Sequence, residues 1–327
     1  MGAEAPRLML LLDEPGTHRL FVNTMQGQIY SISYDGKTVK PYLDLNAAPR
    51  GVNVQSSSHD RGFQSFAFHP QFAQRGTRGY GKFYTYTDTA NIVRRADFLP
   101  NGPGHTHDTV LLEWTAKNPQ APLYDGGAPR ELFRTAKPFQ IHNGGQLAFN
   151  PLARPGSPDY GLLYVGVADG GSGGDPYKHA QNLSFAFGKI LRIDPLGSNS
   201  ANGQYGIPPT NPFVHHSKSG TLGEIYAYGC RNPQRFSWDP QNGNLFLADI
   251  GQAVVEKITL VPAGANLGWN VWEGSFLYGP EGVPGRHLPD CRIRSHGPAV
   301  TAQCRHHRRF CVSRDGHSPA HQQADLW

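Results

Sequence analysis

Residues 147–169 read LAFNPLARPGSPDYGLLYVGVAD. A short apolar run ends in Asn150-Pro151, a Gly/Pro/Ser loop follows, and a second apolar run opens after Gly161 and ends in Asp169. The same order recurs twice. FAFHP at 66–70 precedes GKFYTYTD at 81–88, and FSWDP at 236–240 precedes GNLFLAD at 243–249. With Leu20-Phe21 added, the matching aromatic positions are Phe21, Tyr84, Tyr164 and Phe246, spaced 63, 80 and 82 residues apart. From residue 18 a hairpin also reads directly, HRLFVNT turning at MQGQ into IYSISY and then Asp35-Gly36. Each unit is a small antiparallel sheet that cannot bury both faces alone. Radial packing of such sheets covers the faces and leaves few exposed edges. The pattern predicts an all-β chain, a β-propeller with about four blades visible and long loops between strands. A β-sandwich would not need the same Pro-ended strand pair three times.

Composition agrees. Gly and Pro total 66 of 327 residues, aromatics reach 11% and charged residues only 17%, which suits a turn-rich β protein. No helix of twelve or more amphipathic residues is visible. No run approaches the roughly 18–20 apolar residues of a membrane helix, so no membrane span is expected. RLMLLL at 7–12 is too short for a complete signal-peptide core. The net charge of +5 is uneven: residues 285–327 hold seven Arg and three Asp, which leaves the body nearly neutral. A pI near 9 therefore does not indicate nucleic-acid binding. Cys230 is the one cysteine of the body, which excludes a disulfide framework there.

Several polar stretches fall at strand ends. IHNGGQLAF at 141–149 places His142 on a loop before a strand, where an imidazole suits a general base; a turn histidine without a task is the bland alternative. DGGSGGD at 169–175 pairs two carboxylates with glycines that allow close approach to an ion or ligand, or forms only a flexible turn. In GKILRIDP at 188–195, Arg192 is expected to pair structurally with an acid. In YGCRNPQ at 228–234, Pro233 biases Asn232 to an extended backbone, and Arg231 beside it suits a carboxylate- or quinone-bearing ligand; bonding to loop carbonyls is the structural alternative. ADIGQAVVE at 248–256 and GANLGWNVWEG at 264–274 add two more polar loops. Residues 196–220 form a loop long enough to suggest a functional cover over one face, with His215 and His216 solvated.

Taken in order, GFQSFAFHP, IHNGGQLAF, DGGSGGDP, GKILRIDP, YGCRNPQRFSWDP, ADIGQ with Glu256, and NLGWNVWEG resemble the soluble quinoprotein glucose dehydrogenase family, and more closely its aldose (glucose/sorbosone) dehydrogenase branch. The resemblance runs from about residue 18 to 275. It implies a six-bladed propeller carrying pyrroloquinoline quinone (PQQ) and calcium (Ca2+) on one face, a sugar substrate, an external electron acceptor and a periplasmic or secreted location. It implies His142 as general base toward the sugar C1 hydroxyl and Arg231 and Asn232 as cofactor contacts. It further implies Gly251 and Gln252 as carbonyl ligands of calcium, and Asp60 near the cofactor. Four departures stand out, one being that the basic residues supplied by the family's last two blades have no counterpart here. Ile141 replaces an acidic helper, Leu267 replaces a tyrosine, and Phe63-Gln64-Ser65 replaces a more aliphatic stretch. Non-catalytic binding propellers of the Hedgehog-interacting-protein type are the alternative within the same fold.

The repeat stops near residue 284, dividing the chain into a partial propeller at 1–284 and an Arg/His/Cys-rich tail at 285–327. The tail holds six of fifteen His and three of four Cys, but no Lys or Tyr. Cys304, His306, His307 and Cys311 fit no common zinc spacing. HHRRFCVSRDGHSPAHQQADLW back-translates so that the next frame reads close to ITGGFVYRG-x-AIP-x-LTNKLIFG, which has the turns and alternation of another blade. A shifted frame predicts an open propeller edge, a disordered tail, poor solubility and little activity.

Overall fold

In the computed structural model the described residues are 6–57, 60–93 and 95–278, with strand backbone alone at 284–287, 291–296, 299–304 and 309–313. Three four-stranded antiparallel sheets follow in chain order. The first is β1 (Leu8–Glu14), β2 (Arg19–Thr24), β3 (Gln28–Ser33) and β4 (Val39–Asp44). The second is β5 (Phe63–Phe68), β6 (Lys82–Thr89), β7 (His107–Thr115) and β8 (Arg130–Lys137). The third is β9 (Leu147–Phe149), β10 (Leu163–Val167), β11 (Lys189–Ile193) and β12 (Ile225–Tyr228). A fourth blade opens with β13 (Pro233–Trp238), β14 (Leu245–Asp249) and β15 (Val255–Leu260). The chain then forms a small sheet of β16 (Trp272–Glu273), β17 (Phe276–Tyr278) and β18 (Pro284–His287), and a hairpin of β19 (Cys291–His296) and β20 (Ala299–Cys304). It returns as β21 (Arg309–Ser313), which pairs antiparallel with β15. This is the four-blade propeller arrangement expected from the repeat. The expectations for the tail, its disorder and its Cys/His cluster, concern side chains and segments outside the described residues.

The repeat residues have identifiable jobs. FAFHP, LAFNP and FSWDP are the ends of β5, β9 and β13, the first strand of each blade. The polar residue before each proline accepts the backbone N–H two residues on: Gln71 N–H to His69 Nδ1 at 3.1 Å, Leu152 N–H to Asn150 Oδ1 at 3.0 Å, and Gln241 N–H to Asp239 Oδ1 at 2.8 Å. A side chain that mimics a backbone turn, followed by a proline with preset φ, ends the strand and starts the loop. The repeat glycines Gly81, Gly161 and Gly243 lie at φ +71°, +76° and +74°, in the left-handed region that side chains disfavour.

The second-strand aromatics face a small residue where one is available: Ala67 opposite Tyr84, Ala148 opposite Tyr164 and Ser237 opposite Phe246. Phe21, Tyr84 and Tyr164 each enter the apolar core shared with the next blade, so three cores join blades 1–2, 2–3 and 3–4. Phe246, in the fourth blade, is only half-buried. Pro41 sits in β4, the outer edge strand of its blade, where a missing N–H breaks no ladder. The long loop 196–220 joins the far end of β11 to β12, on the face opposite His142. There Arg130 donates to the Gln204 carbonyl at 2.5 Å and Asn202 to Asp97 at 2.9 Å, tying the loop to blade 2.

Candidate active site

In an antiparallel blade the start of the first strand and the end of the second share one edge. The sequence places its polar loops at those points, so the topology gathers them on one face. The repeat aspartates do the joining. Asp88, Asp169 and Asp249 end the second-strand runs of blades 2, 3 and 4. Asp88 accepts Gly62 N–H at 2.9 Å, just before β5. Asp249 accepts the N–H groups of Arg231 at 3.1 Å and Asn232 at 2.8 Å, just before β13. In blade 3 the equivalent partner is a side chain: His142 Nδ1 meets Asp169 Oδ1 at 2.7 Å.

His142 is buried, with its backbone at φ +58°. Its Nε2 meets Arg231 Nη2 at 2.7 Å. Arginine only donates, so Nε2 presents a lone pair and the ring proton sits on Nδ1, directed at Asp169. Asp169 is held in turn by Gly171 N–H at 3.0 Å and by the Trp269 indole N–H at 2.8 Å. Lys137 donates to the His142 backbone carbonyl at 2.7 Å. Burial lowers the Lys137 ammonium from its usual range, and Asp88, Asp60 and Asp169 oppose that shift.

Arg231 spreads over four partners. Beyond His142 it donates from Nε to Gln252 Oε1 and from Nη1 to the Ile250 carbonyl, both at 3.1 Å, and its guanidinium lies 5.8 Å from the Trp269 ring centroid. Asn232 accepts Gly144 N–H at 3.1 Å and donates to Asp60 at 3.3 Å. Asp60 accepts both the backbone and side-chain N–H groups of Asn143, at 3.0 and 2.9 Å, and Asn143 reaches the buried His107 at 2.9 Å. The structure thus brings His142, Arg231, Asn232 and Asp60 into one network, with Gln252 bonded to its rim.

Gly251 donates its N–H to Glu256 at 2.9 Å, while the Gly251 and Gln252 carbonyl oxygens accept no hydrogen bond among the described residues. Two unengaged carbonyls fit a hard cation such as calcium. The guanidinium of Arg231 fits a multiply anionic quinone. Among the described residues no cluster of three or more His, Cys, Asp or Glu side chains forms a metal site. A calcium ion here would therefore draw on carbonyls.

Sequence reasoning missed the role of Asp169. It read as one end of a glycine turn, yet it supplies the carboxylate behind His142 that Ile141 lacks. The roles of Lys137 and Trp269 were also missed: no local pattern marks Lys137, and NLGWNVWEG was read only as a polar loop and not as the source of an indole donor to Asp169. Asp175 caps the N–H groups of His179 at 3.0 Å and Ala180 at 2.8 Å, and burial pushes its carboxyl up to about 6. Leu267 lies buried in the core between blades 3 and 4. Arg192 pairs with Asp159 at 3.2 Å, the structural role expected of it, while His215 and His216 are exposed. Cys230 is free and buried.

The chain is similar to several known proteins. HIPL1 protein of Arabidopsis thaliana is 32% identical over 301 residues, covering 83% of this chain and 42% of that protein. Hedgehog-interacting protein of Mus musculus is 31% identical over 228 residues, covering 68% of this chain and 29% of that one. The chain thus spans less than half the length of these relatives. The PQQ-bound aldose sugar dehydrogenase of Streptomyces coelicolor aligns with a TM-score of 0.57 and 25% identity, over 92% of this chain and 75% of that one. The model of the glucose/sorbosone dehydrogenase family matches residues 3–292, nearly the whole described body, and the chain belongs to that family.

Proposed function

We propose that this face oxidises the C1 hydroxyl of an aldose to a lactone, with His142 as general base. One observation carries the reading: an imidazole whose Nδ1–H is directed at the Asp169 carboxylate and whose Nε2 lone pair faces Arg231. That tautomer is ready to accept a proton at Nε2. The Asp169 carboxylate stabilises the imidazolium that results, as an orienting aspartate does in other His-based sites. The sugar hydroxyl would take the place of Arg231 at Nε2. Arg231 and Asn232 would hold PQQ, with Asp60 close by through Asn232, and the Gly251 and Gln252 carbonyls would hold calcium. When bound, PQQ supplies a two-electron acceptor for the hydride; an external acceptor then removes the electrons. A periplasmic or secreted site of action belongs to the same proposal. No helix of the described residues is long and apolar enough to cross a membrane.

The test is a dye-linked assay with D-glucose after adding PQQ and calcium. Sugar-dependent dye reduction that falls by roughly 10²–10⁴-fold in His142→Ala is the expected result, the usual worth of a general base. A variant with full turnover would remove His142 from the reaction. The second reading, a binding propeller, is favoured by the similarity to HIPL1 and Hedgehog-interacting protein. It predicts no dye reduction at any PQQ or sugar concentration.

A further inference from the structure

On the opposite face, between blades 3 and 4, lies a cleft of about 260 Å³ that the proposed oxidation does not use. The far ends of β9, β10, β13 and β14 form it. Three aromatic rings wall it: Tyr226 and Trp238 each stand edge-on to Tyr164, at centroid distances of 5.0 Å. One charged pair lies against them. Arg192 donates to Asp159 at 3.2 Å and stacks over the Tyr226 ring at 5.0 Å. Asp159 also accepts the Tyr164 hydroxyl at 2.8 Å and the Asn150 amide at 2.7 Å.

The charges select the ligand class. Arg192 already fills the cationic place over the rings, so an organic cation meets a like charge. Asp159 repels an anion. The pair is balanced, which favours a neutral guest. The polar groups left available are those that bind hydroxyls. Asp159 Oδ2 accepts one bond and has a further lone pair. The exposed Asn244 amide and the Trp238 indole N–H have no hydrogen-bond partner among the described residues. A π face beside planar amide and carboxylate groups suits a ring with C–H bonds on one side and hydroxyls at its rim. The volume falls just below the roughly 300–1,000 Å³ of drug-sized pockets, which is room for one ring. We propose that this cleft binds a single neutral sugar ring, as a site separate from the one around His142.

The experiment is calorimetric titration of the full chain with methyl β-D-glucopyranoside, whose blocked C1 hydroxyl removes it from the proposed oxidation. Saturable binding is expected. It should weaken about fivefold to tenfold in Trp238→Ala and measurably in Asn244→Ala, the cost of one lost ring or amide contact. It should be unchanged in His142→Ala, and neither tetramethylammonium nor acetate should displace the sugar. Asn244 is exposed, so its variant reads binding even where Trp238→Ala fails to fold. Absence of saturable binding overturns the proposal. So does binding untouched by the cleft substitutions, binding lost with His142, or displacement by either ion.

Discussion

His142 makes two contacts on opposite sides of one ring, and neither partner lies near it in sequence. Asp169 is 27 residues on and Arg231 is 89. The histidine was legible because a strand follows it directly. The aspartate was not, because its glycine-rich surroundings read equally well as a turn or an ion loop; the blade geometry brings it under Nδ1. Asp169→Asn keeps the shape and removes the charge that fixes the tautomer. Turnover in the PQQ-reconstituted assay should fall by up to about 10⁴-fold, as for the orienting aspartate of a catalytic triad. Circular dichroism should be unchanged. Wild-type turnover in this variant would show that Asp169 serves the loop and not the base.

At the scale of elements, the propeller was legible because its repeat is chemical as well as periodic. A polar residue that closes a turn, a glycine at positive φ and a strand-ending aspartate recur at matching places. The neighbours of each blade were not legible, since inter-blade burial depends on what packs across. Phe21 and Phe246 hold the same repeat position, yet Phe21 is fully buried and Phe246 half-buried. Phe21→Ala should cost about 3–5 kcal/mol, the range for a buried phenylalanine, and Phe246→Ala clearly less; urea midpoints compare them. Equal losses would mean that the fourth blade's outer face is covered as well as the first core. The 169–179 loop adds a pH signature. His179 donates from Nδ1 to the Asp169 carbonyl at 2.6 Å and accepts Asn101 N–H at 2.8 Å, so it is neutral when folded, and burial lowers it to about 4. The unfolded chain takes up that proton below about 6.5. Its contribution to stability is therefore complete above that pH and is lost as pH falls toward 4. Asp175, raised to about 6, contributes the opposite slope over part of the window in either protein. Melting temperature should drop more steeply between pH 6.5 and 4 in wild type than in His179→Phe, which keeps the ring against Phe187. Parallel profiles would contradict the neutral assignment.

For the whole molecule, the site and the repeat end at different places. Among the described residues, the network around His142 draws on blades 2 to 4 and the 264–274 segment, whereas the repeat pattern stops near residue 284. We propose a shifted reading frame as the origin of residues 285–327. It predicts that a chain with the frame restored turns over faster than the 327-residue chain, with genomic sequence over codons 280–327 as the check. The family membership rests on the body and is independent of that outcome. We propose that this face takes a quinone and a cation together, the quinone through Arg231 and the cation through the Gly251 and Gln252 carbonyls. Equilibrium dialysis of PQQ against the protein, in calcium and then in excess chelator, tests it most directly. Saturable PQQ binding is expected in calcium and should weaken at least about tenfold on chelation, because a hard cation among carbonyl oxygens offsets the cofactor's carboxylates. PQQ bound equally tightly in both conditions, or bound in neither, would contradict it.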